Sequence, residues 1–352
     1  MRYGMLGDNR LEGLALRAGL VPTPMLEGYG VAFGRALTLA TKFGFFEVLA
    51  DRPLSATAVA QRCDTDPAAT EKLLNILVSM RYLALSSDRY RLTRSARTWL
   101  LESSPRSVRD MVLMKELEWR WLDGLEEFVR TGRPLNIHAT MSAEDWALYQ
   151  RGMRAQAGVI GGLVARRVPM PRGATRMLDV GGSHGYFSAA LCRRYPALRS
   201  IVLDLPEAVR HAAPLLEEEG MDDRVLFQPG NALTEDLGTD AYDLILIFSL
   251  VHHFDDATNR ELVARCSRAL RPGGRLVIGD VLRPKSPRKA GLDTFYDLYF
   301  ALISESGLWS VNQIAEWQRA AGLRPRRAIR LVPGQGPALQ AAERPSTSTP
   351  DP

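Results

Sequence analysis

The stretch MLDVGGSHG, residues 177–185, decides the fold of this chain. A short apolar run contains the acidic Asp179, a glycine-rich loop follows at once, and helix-forming residues begin near Tyr186. Glycines at this place let the backbone turn sharply and come close to a ligand at the N-terminus of the helix. The stretch therefore predicts a strand, a loop and a helix that together form a ligand site.

Short apolar runs continue beyond this unit and are mostly separated by segments of helical length. These runs are residues 201–203, 225–228, 244–248 and 275–278. Such alternation is typical of a parallel sheet covered by helices on both faces. We therefore predict an α/β domain over residues 171–342, with the Arg-rich residues 324–330 as an exposed strand. The Pro- and Ser-rich residues 343–352 are predicted to form a disordered tail.

The N-terminal part has a different, mainly helical pattern. Ser55 opens a short helix that closes near Cys63, and Asp66-Pro67 begins the next helix with a cap residue followed by proline. That helix, predicted over residues 68–80, precedes two short strands at 82–85 and 90–92. This order predicts a winged-helix domain over residues 1–108.

The charge pattern decides between two uses of a winged helix. The net charge is +5 and the pI is about 9.2, but the basic residues are scattered among acidic ones. The helix over residues 68–80 offers only Lys72 as a cation, with Glu71 beside it, whereas helices that read DNA carry several phosphate- and base-contacting groups. We favour a packing or dimer-forming role with no nucleic-acid partner. A ligand-sensing DNA-binding regulator stays open as a minor alternative, which predicts salt-dependent duplex binding.

Residues 109–170 continue as helices that are rich in large apolar and aromatic side chains. Trp146, Tyr149 and Met153 belong to this set. They fit either an interhelical core or one wall of a pocket for an aromatic acceptor, because aromatic and thioether groups suit a flat ring.

The cysteines and the N-terminus bear on the compartment. Cys63, Cys192 and Cys266 are an odd set without CxxC spacing, which argues against a disulfide framework and a zinc site. The N-terminus lacks an apolar signal core, and no run approaches about 18 apolar residues. We expect a cytoplasmic protein that is neither secreted nor bound to a membrane.

The loop after the first strand favours one ligand chemistry over another. The GxGxxG spacing that seats a pyrophosphate is absent. Asp179 would repel such a polyanion but would tolerate a cationic amino-acid head group and a sulfonium. Asp204, at the end of the second strand, is placed to accept hydrogen bonds from a ribose diol, although a helix cap is an alternative role.

Several motifs together resemble those of class I S-adenosylmethionine-dependent methyltransferases. They are residues 178–185, 202–206, Gly230-Asn231, the His252 segment and 270–274. The most similar group is the caffeic-acid-type small-molecule O-methyltransferases of plants and their bacterial natural-product relatives. The resemblance covers residues 31–344. It implies a Rossmann-like domain with a mostly parallel seven-stranded sheet, an N-terminal winged-helix dimerisation domain and a homodimer.

The resemblance also implies the cofactor site. The predicted cofactor-binding residues are Asp179, Gly181, Gly182, Gly185, Asp204, Leu205, Gly230, Asn231, Phe248 and Ser249. Asp204 would hold the ribose and Asn231 would meet the adenine. Ser183 stands where the family has the middle glycine of the loop, and Asn231 stands where it has aspartate. Because an amide oxygen still accepts a hydrogen bond, we expect weaker binding and not its loss.

His252 is the predicted general base for a hydroxyl acceptor. A phenol has a pKa of about 10 and a free histidine about 6.5, so complete prior proton transfer would cost about 4.8 kcal/mol. The proton should therefore leave as the new bond forms, with a positioned base contributing roughly 10²- to 10⁴-fold. His252 follows the fourth strand at the carboxyl edge of the sheet and matches the catalytic histidine of the family, whereas His253 stands at its aspartate.

The family brackets its histidine with two glutamates, and only one has a counterpart here. Asp280 matches the first with a shorter acid, while Leu308 stands at the second. Glu305 is a nearby alternative, although a solvated residue at a helix end is the favoured interpretation of it. C- or N-methylation, or a reaction without methyl transfer, therefore stays open. No metal is expected, because His252 and His253 are adjacent without a carboxylate cluster. His138 and His211 are expected on the surface.

The acceptor itself is predicted to be a small aromatic or polyketide-like molecule. Its predicted binding residues are Trp146, Tyr149, Met153, His253, Asp297, Phe300 and Trp309.

Overall fold

The computed structural model describes residues 9–221, 223–284, 286, 291–332 and 336–346. They form two compact units, divided between Glu116 and Leu117. The division lies inside the helix Arg109–Leu122, which begins at the limit predicted from the sequence.

The N-terminal unit is a helical domain with a two-stranded wing. Its elements are α1 (Arg10–Arg17), α2 (Thr23–Glu27), α3 (Gly30–Lys42), α4 (Phe45–Val48), α5 (Ala56–Cys63), α6 (Pro67–Ser79), β1 (Leu83–Ser86), β2 (Arg89–Leu92) and α7 (Arg94–Trp99). The side chains of Ser55 and Asp66 cap α5 and α6, and β1 pairs with β2 in antiparallel register. These elements confirm the predicted winged helix.

A helical segment follows. It comprises α8 (Arg109–Leu122), α9 (Leu125–Thr131), α10 (Ile137–Thr140) and α11 (Ala143–Arg167). A capping box of Ser142 and Asp145 starts α11, the longest helix of the described residues.

The C-terminal unit contains a mostly parallel sheet covered by helices, as predicted. Its strands are β3 (Arg176–Val180), β4 (Arg199–Asp204), β5 (Val225–Pro229), β6 (Tyr242–Phe248), β7 (Leu270–Val281), β8 (Arg324–Pro325), β9 (Ile329–Arg330) and β10 (Pro337–Glu343). Its helices are α12 (Tyr186–Arg194), α13 (Pro206–Glu217), α14 (Asp256–Ala269), α15 (Leu292–Ile303) and α16 (Val311–Ala320).

The strand order in the described residues is β5-β4-β3-β6-β7-β10-β8, and β9 also pairs with β10. The strands β3 to β7 are parallel, and β10 is antiparallel to β7. The last position in the sheet, beside β10, is thus divided between the two short strands β8 and β9. Both come from the Arg-rich residues 324–330, which the sequence predicted as one strand. Glu343, which the sequence assigned to the tail, ends β10 opposite Arg275. Residues 347–352 of the predicted tail lie outside the described residues.

The order of the strands determines where a ligand can bind. From β3 the chain proceeds outward through β4 and β5, and then returns to the other side of β3 with β6 and β7. Ligands of open α/β sheets bind at the carboxyl ends of the strands where this reversal occurs. The ends of β3, β4 and β6 at Val180, Asp204 and Phe248 therefore mark the candidate site.

Candidate active site

A cavity of about 580 Å³ opens at these strand ends. Most of the predicted site residues line it: Gly181, Gly182, Asp204, Leu205, Gly230, Asn231, Phe248, Ser249, Trp146, Tyr149, Met153 and His253. The other predicted residues do not lie on its wall: Asp179, Gly185, His252, Asp280, Asp297, Phe300 and Trp309. The residues on the wall come from strand ends on one side and from α11 on the other.

The glycine loop has the geometry that only glycine allows at two positions. Gly181 has a φ of +67°, a backbone conformation that side chains disfavour. A Cβ on Gly182 would lie 2.6 Å from Cγ of Asp179 and 2.8 Å from Cγ1 of Val202. The loop therefore packs tightly over the end of the sheet and presents bare backbone to the cavity.

Asp204 lies on the cavity wall with its carboxylate oriented by the loop. Its Oδ2 accepts from the backbone N–H of Ser183 at 2.7 Å, and its Oδ1 accepts from that of Leu205 at 2.7 Å. Burial raises the pKa of Asp204 to about 6, although these two hydrogen bonds oppose the shift. Its remaining lone pairs can accept hydrogen bonds from a neutral diol.

Asp179 lies beneath the loop and is fully buried. Its Oδ2 accepts from the hydroxyl of Ser188 at 2.6 Å, while its Oδ1 has no hydrogen-bond partner among the described residues. Burial raises the pKa of Asp179 to about 7, with a further contribution from Asp204. An unpartnered buried carboxylate oxygen is costly. This placement suits long-range attraction of a cation better than direct contact with a ligand.

Ser183, the departure from the all-glycine loop, ties the loop to α11. Its φ is +50°, and its Oγ donates to Oε1 of Gln150 at 2.7 Å. Gln150 is buried and also lines the cavity. Sequence reasoning missed this residue, and no local pattern indicates it, because Gln150 lies in a long helix of mixed polarity far from the loop along the chain.

Gly230 and Asn231 form the cavity wall after β5. A Cβ on Gly230 would lie 2.5 Å from Cγ of Glu235, so a side chain there would require the Glu235 side chain to move. Oδ1 of Asn231 accepts from the backbone N–H of Leu233 at 2.9 Å. This turn holds the exposed amide of Asn231 at the rim, with one lone pair of Oδ1 still available.

His252 and Asp280 form a buried pair just behind the cavity wall. Nδ1 of His252 lies 2.9 Å and 3.0 Å from the two carboxylate oxygens of Asp280. The ring of Phe300 stacks on the imidazole, with centroids 3.7 Å apart and planes 13° apart. Because a carboxylate accepts, the proton on Nδ1 faces Asp280 and the lone pair of the neutral ring is on Nε2.

Two side chains hold the backbone next to His252 in place by hydrogen bonds. The carbonyl of Val251 accepts from Nε1 of Trp309 at 2.9 Å and from Nδ2 of Asn259 at 2.9 Å. Asp297 supports the segment that carries Trp309, since its Oδ1 accepts from the backbone N–H of Leu308 at 2.8 Å. Trp309 and Asp297, expected on the acceptor wall, are not among the residues that line the cavity. Trp309 instead supports the segment that carries His252 and His253.

His138 joins the site, and its expected surface position is wrong. Its ring stacks on Trp146 with centroids 5.5 Å apart and meets Tyr149 and His253 edge-on at 5.6 Å and 4.9 Å. Burial, and then His252, lower the pKa of His138 to about 4. The short helix α10 brings it to the cavity, a placement that no local pattern indicates.

The position of the second family glutamate is apolar in the structure too. Leu308 is fully buried, whereas Glu305 is exposed at the cavity rim. No group of three or more His, Cys, Asp or Glu side chains in the described ranges is arranged to hold a metal ion. Of the helices described, none combines the length and apolarity that a membrane crossing needs.

Comparison with known proteins agrees with this geometry. Residues 117–324 match the family model of the O-methyltransferase domain, which is more than half of the chain. The chain belongs to the O-methyltransferase family. Residues 28–102 of this enzyme match the model of the O-methyltransferase dimerisation domain, which accounts for its winged helix.

Individual relatives extend over most of the enzyme. It is 28% identical over 315 residues to a 3-hydroxy-5-methyl-1-naphthoate 3-O-methyltransferase of Streptomyces sahachiroi, covering 85% of this chain and 88% of the relative. It is 26% identical over 309 residues to the N,N-dimethyltransferase OxyT of Streptomyces rimosus, covering 84% of this chain and 89% of the relative. Human N-acetylserotonin methyltransferase in complex with S-adenosylmethionine shares the fold, with a TM-score of 0.82 at 23% identity over 92% of this chain and 97% of that one.

These findings confirm the fold, the enzyme class and the cofactor that the sequence predicted. The enzyme is an S-adenosylmethionine-dependent O-methyltransferase.

Proposed function

We propose that the enzyme methylates a hydroxyl group of a small aromatic acceptor, with His252 as the general base. The observation that carries this proposal is the buried pair of His252 and Asp280 directly behind the wall of the cavity. A base must lie within hydrogen-bond reach of the proton that it removes. The pair stands at the carboxyl edge of β6, beside the residues proposed to hold the cofactor.

The cofactor fits the residues present. The bare loop at Gly181 and Gly182, the hydrogen-bond acceptor Asp204 and the amide of Asn231 would hold its amino-acid, ribose and adenine parts. The unpartnered oxygen of Asp179 adds negative potential beneath the loop, which favours a cation. S-adenosylmethionine, when bound, supplies an electrophilic methyl group on a sulfonium.

His252 takes up the acceptor proton as the oxygen becomes a nucleophile. Asp280 accepts from Nδ1–H, fixes the tautomer and neutralises the imidazolium that results. The stack with Phe300 restricts the ring to one plane. Leu308 contributes no second carboxylate, so we assign the whole of this stabilisation to Asp280.

The wall across from the strand ends supports an aromatic acceptor. Trp146, Tyr149 and His138 form a group of mutually packed rings there. Such surfaces bind flat rings through stacked and edge-on contacts. The similarity to a methyltransferase named for a hydroxynaphthoate substrate supports the same acceptor class.

Methylation of an amine is the second candidate. The similarity to an N,N-dimethyltransferase and the apolar Leu308 at the second glutamate position favour it. An amine needs less help from a base once it is neutral. Release of S-adenosylhomocysteine with arylamines as well as with matched phenols would identify this additional activity.

We also propose that the enzyme is a cytoplasmic homodimer. The match to the dimerisation domain supports association, and α3 exposes Val31, Phe33 and Leu39 to solvent within its own unit. The free thiols of the described cysteines fit a reducing compartment. Light scattering coupled to size exclusion should give twice the chain mass of 39.0 kDa.

The test of the proposed base compares His252→Ala with His211→Ala. His211 lies on α13, away from the cavity wall, and is the matched control. We expect His252→Ala to lower turnover roughly 10²- to 10⁴-fold. Calorimetry should find its affinity for S-adenosylhomocysteine within about threefold of the wild type. Equal losses of turnover and cofactor affinity would show that His252 is architectural.

A further inference from the structure

One hydrogen bond joins the two sides of the cavity. Oγ of Ser183 donates to Oε1 of Gln150 at 2.7 Å, and both residues line the cavity. Ser183 belongs to the glycine loop, residues 181–185, which is proposed to hold the cofactor. Gln150 belongs to α11, which is proposed to meet the acceptor. No other hydrogen bond between described residues connects this loop with α11.

On the loop side, Ser183 is bonded to the carboxylate proposed to hold the ribose. Its backbone N–H donates to Oδ2 of Asp204 at 2.7 Å. Its φ of +50° is a conformation that costs free energy for a side chain and that glycine adopts freely. Strained residues of this kind persist where the contacts around them hold them in place. The contacts that hold Ser183 lead to Asp204 in one direction and to Gln150 in the other.

On the helix side, Gln150 belongs to the face of α11 that meets the cavity. Trp146, Tyr149, Gln150 and Met153 follow one another at helical spacing, so they share one face, and all four line the cavity. Gln150 is only 1% exposed. Its long side chain has several rotatable bonds, and a fixed oxygen at its end restricts them. The bond to Ser183 therefore orders the middle of the acceptor-facing side of α11.

A second attachment of α11 does not involve the loop. Arg154 forms an ion pair with Glu219, which lies just after α13, and its guanidinium lies over the ring of Tyr186 at 4.1 Å. None of these three residues lines the cavity. This attachment holds the helix against the sheet without the loop, so a variant that lacks the bond between Ser183 and Gln150 should still fold.

We propose that Gln150 is a positioning residue that couples cofactor binding to acceptor binding. A cofactor held at Asp204 and the loop fixes Ser183, and Ser183 fixes the acceptor-facing side of α11 through Gln150. Binding that orders a shared element lowers the ordering cost for the next ligand. The acceptor therefore binds more tightly to the loaded enzyme than to the free enzyme. The inference rests on the proposed function, because it takes this face of α11 as the wall that meets the acceptor.

The first test needs no acceptor. Hydrogen–deuterium exchange is measured on residues 144–156 and 181–185, without ligand and with saturating S-adenosylhomocysteine. In the wild type we expect the ligand to slow exchange by about threefold or more in both segments. Gln150→Met should keep this protection in residues 181–185 and lose most of it in residues 144–156. The protection that remains in the loop shows that the variant is folded and binds the ligand.

Gln156→Met is the matched control for this experiment. Gln156 lies on the same helix and lines the same cavity, but none of the hydrogen bonds between described residues joins it to the loop. The replacement is chemically the same, so any general effect of losing an amide from α11 is present in both variants. We expect Gln156→Met to keep the protection in both segments.

The second test measures the coupling itself with 2-naphthol as the acceptor probe. Calorimetry gives its dissociation constant for the free enzyme and for the enzyme loaded with S-adenosylhomocysteine. We expect about tenfold tighter binding to the loaded wild type, and a ratio of about twofold or less in Ser183→Gly and in Gln150→Met. Both variants remove the same bond, so the double variant should reduce the ratio no further. Gln150→Glu keeps an acceptor oxygen and should recover part of the ratio.

The results separate the inference from the proposed function. Equal affinity of 2-naphthol for the free and the loaded wild type overturns the coupling and leaves the proposed function standing. Protection of residues 144–156 that survives in Gln150→Met does the same, and so does a tenfold ratio that survives in Ser183→Gly. If the loaded wild type binds no 2-naphthol, the aromatic acceptor of the proposed function is contradicted, and the exchange experiment decides by itself whether Gln150 links the loop to α11.

Discussion

Replacement of Asp179 by asparagine should stabilise the enzyme without its cofactor and weaken cofactor binding. Burial raises the pKa of Asp179 from 3.8 to about 7, so the ionised form is disfavoured in the fold. This difference corresponds to about 4 kcal/mol against the folded state above pH 7. The asparagine side chain would remove the charge and still accept from Ser188, but its new amide N–H would meet the position where Oδ1 has no partner. An unpaired donor costs about 1–3 kcal/mol, which leaves a net gain of about 1–3 kcal/mol.

The sign of the pH dependence follows from linkage. Below pH 3.8 the carboxyl is protonated in both the folded and the unfolded chain, so the wild type has no penalty there. The penalty grows between pH 3.8 and about 7 and is complete above that range. The advantage of Asp179→Asn should therefore be largest at pH 8, at about 2–12 °C in Tm for a unit of this size, and should shrink as the pH falls towards 4.

The control is the same substitution at Asp243, on the neighbouring strand β6. Its Oδ2 accepts from the backbone N–H groups of Thr175 and Arg176, and its Oδ1 pairs with Arg271 at 3.0 Å. Although partial burial opposes it, these contacts lower the pKa of Asp243. Its contribution to stability is therefore present above the unfolded pKa and lost in acid, and Asp243→Asn should lower Tm at pH 8.

Thermal unfolding at pH 5 and pH 8, together with calorimetry of S-adenosylmethionine binding, provides the measurement. Loss of the negative charge beneath the loop should weaken binding of the cationic cofactor by about tenfold. If Asp179→Asn lowers Tm at pH 8 as Asp243→Asn does, the buried carboxylate is a stabilising group and the reasoning is refuted.

Substitutions at three further positions test the residues that support the site. Asp280→Asn should lower kcat by about 10²-fold, because the imidazolium of His252 loses its negative partner, with affinity for S-adenosylhomocysteine unchanged in calorimetry. Ser183→Ala should weaken cofactor affinity more than Ser183→Gly does. Both variants lose the hydrogen bond to Gln150, but the positive φ at this position is disfavoured for alanine and not for glycine. Equal affinities of the two variants would contradict this. Gly279→Ala would place a Cβ 2.4 Å from Phe248 on the cavity wall, so we expect about 1–3 kcal/mol of destabilisation in urea unfolding and a reduced cofactor affinity.

Local sequence patterns alone predicted the main features of the enzyme. The glycine loop after β3, the apolar strands and the cap residues act over a few neighbouring positions, so their structure can be inferred from the residues themselves. The position of His252 just after β6 placed it at the carboxyl edge of the sheet, because ligand sites of parallel sheets occur there. The family resemblance added the cofactor and the roles of individual residues.

Only the tertiary structure decided which side chains share the cavity. His138 and Gln150 join the site from α10 and α11, whereas Trp309 and Asp297 do not line the cavity, and no spacing along the chain distinguishes these cases. Asp179 follows the pattern of a ligand-facing acid, but the loop that packs over it encloses it. Burial depends on contacts between elements that are distant in sequence. The charge state and the accessible edge of each polar group therefore emerge only when the sheet and its helices are assembled.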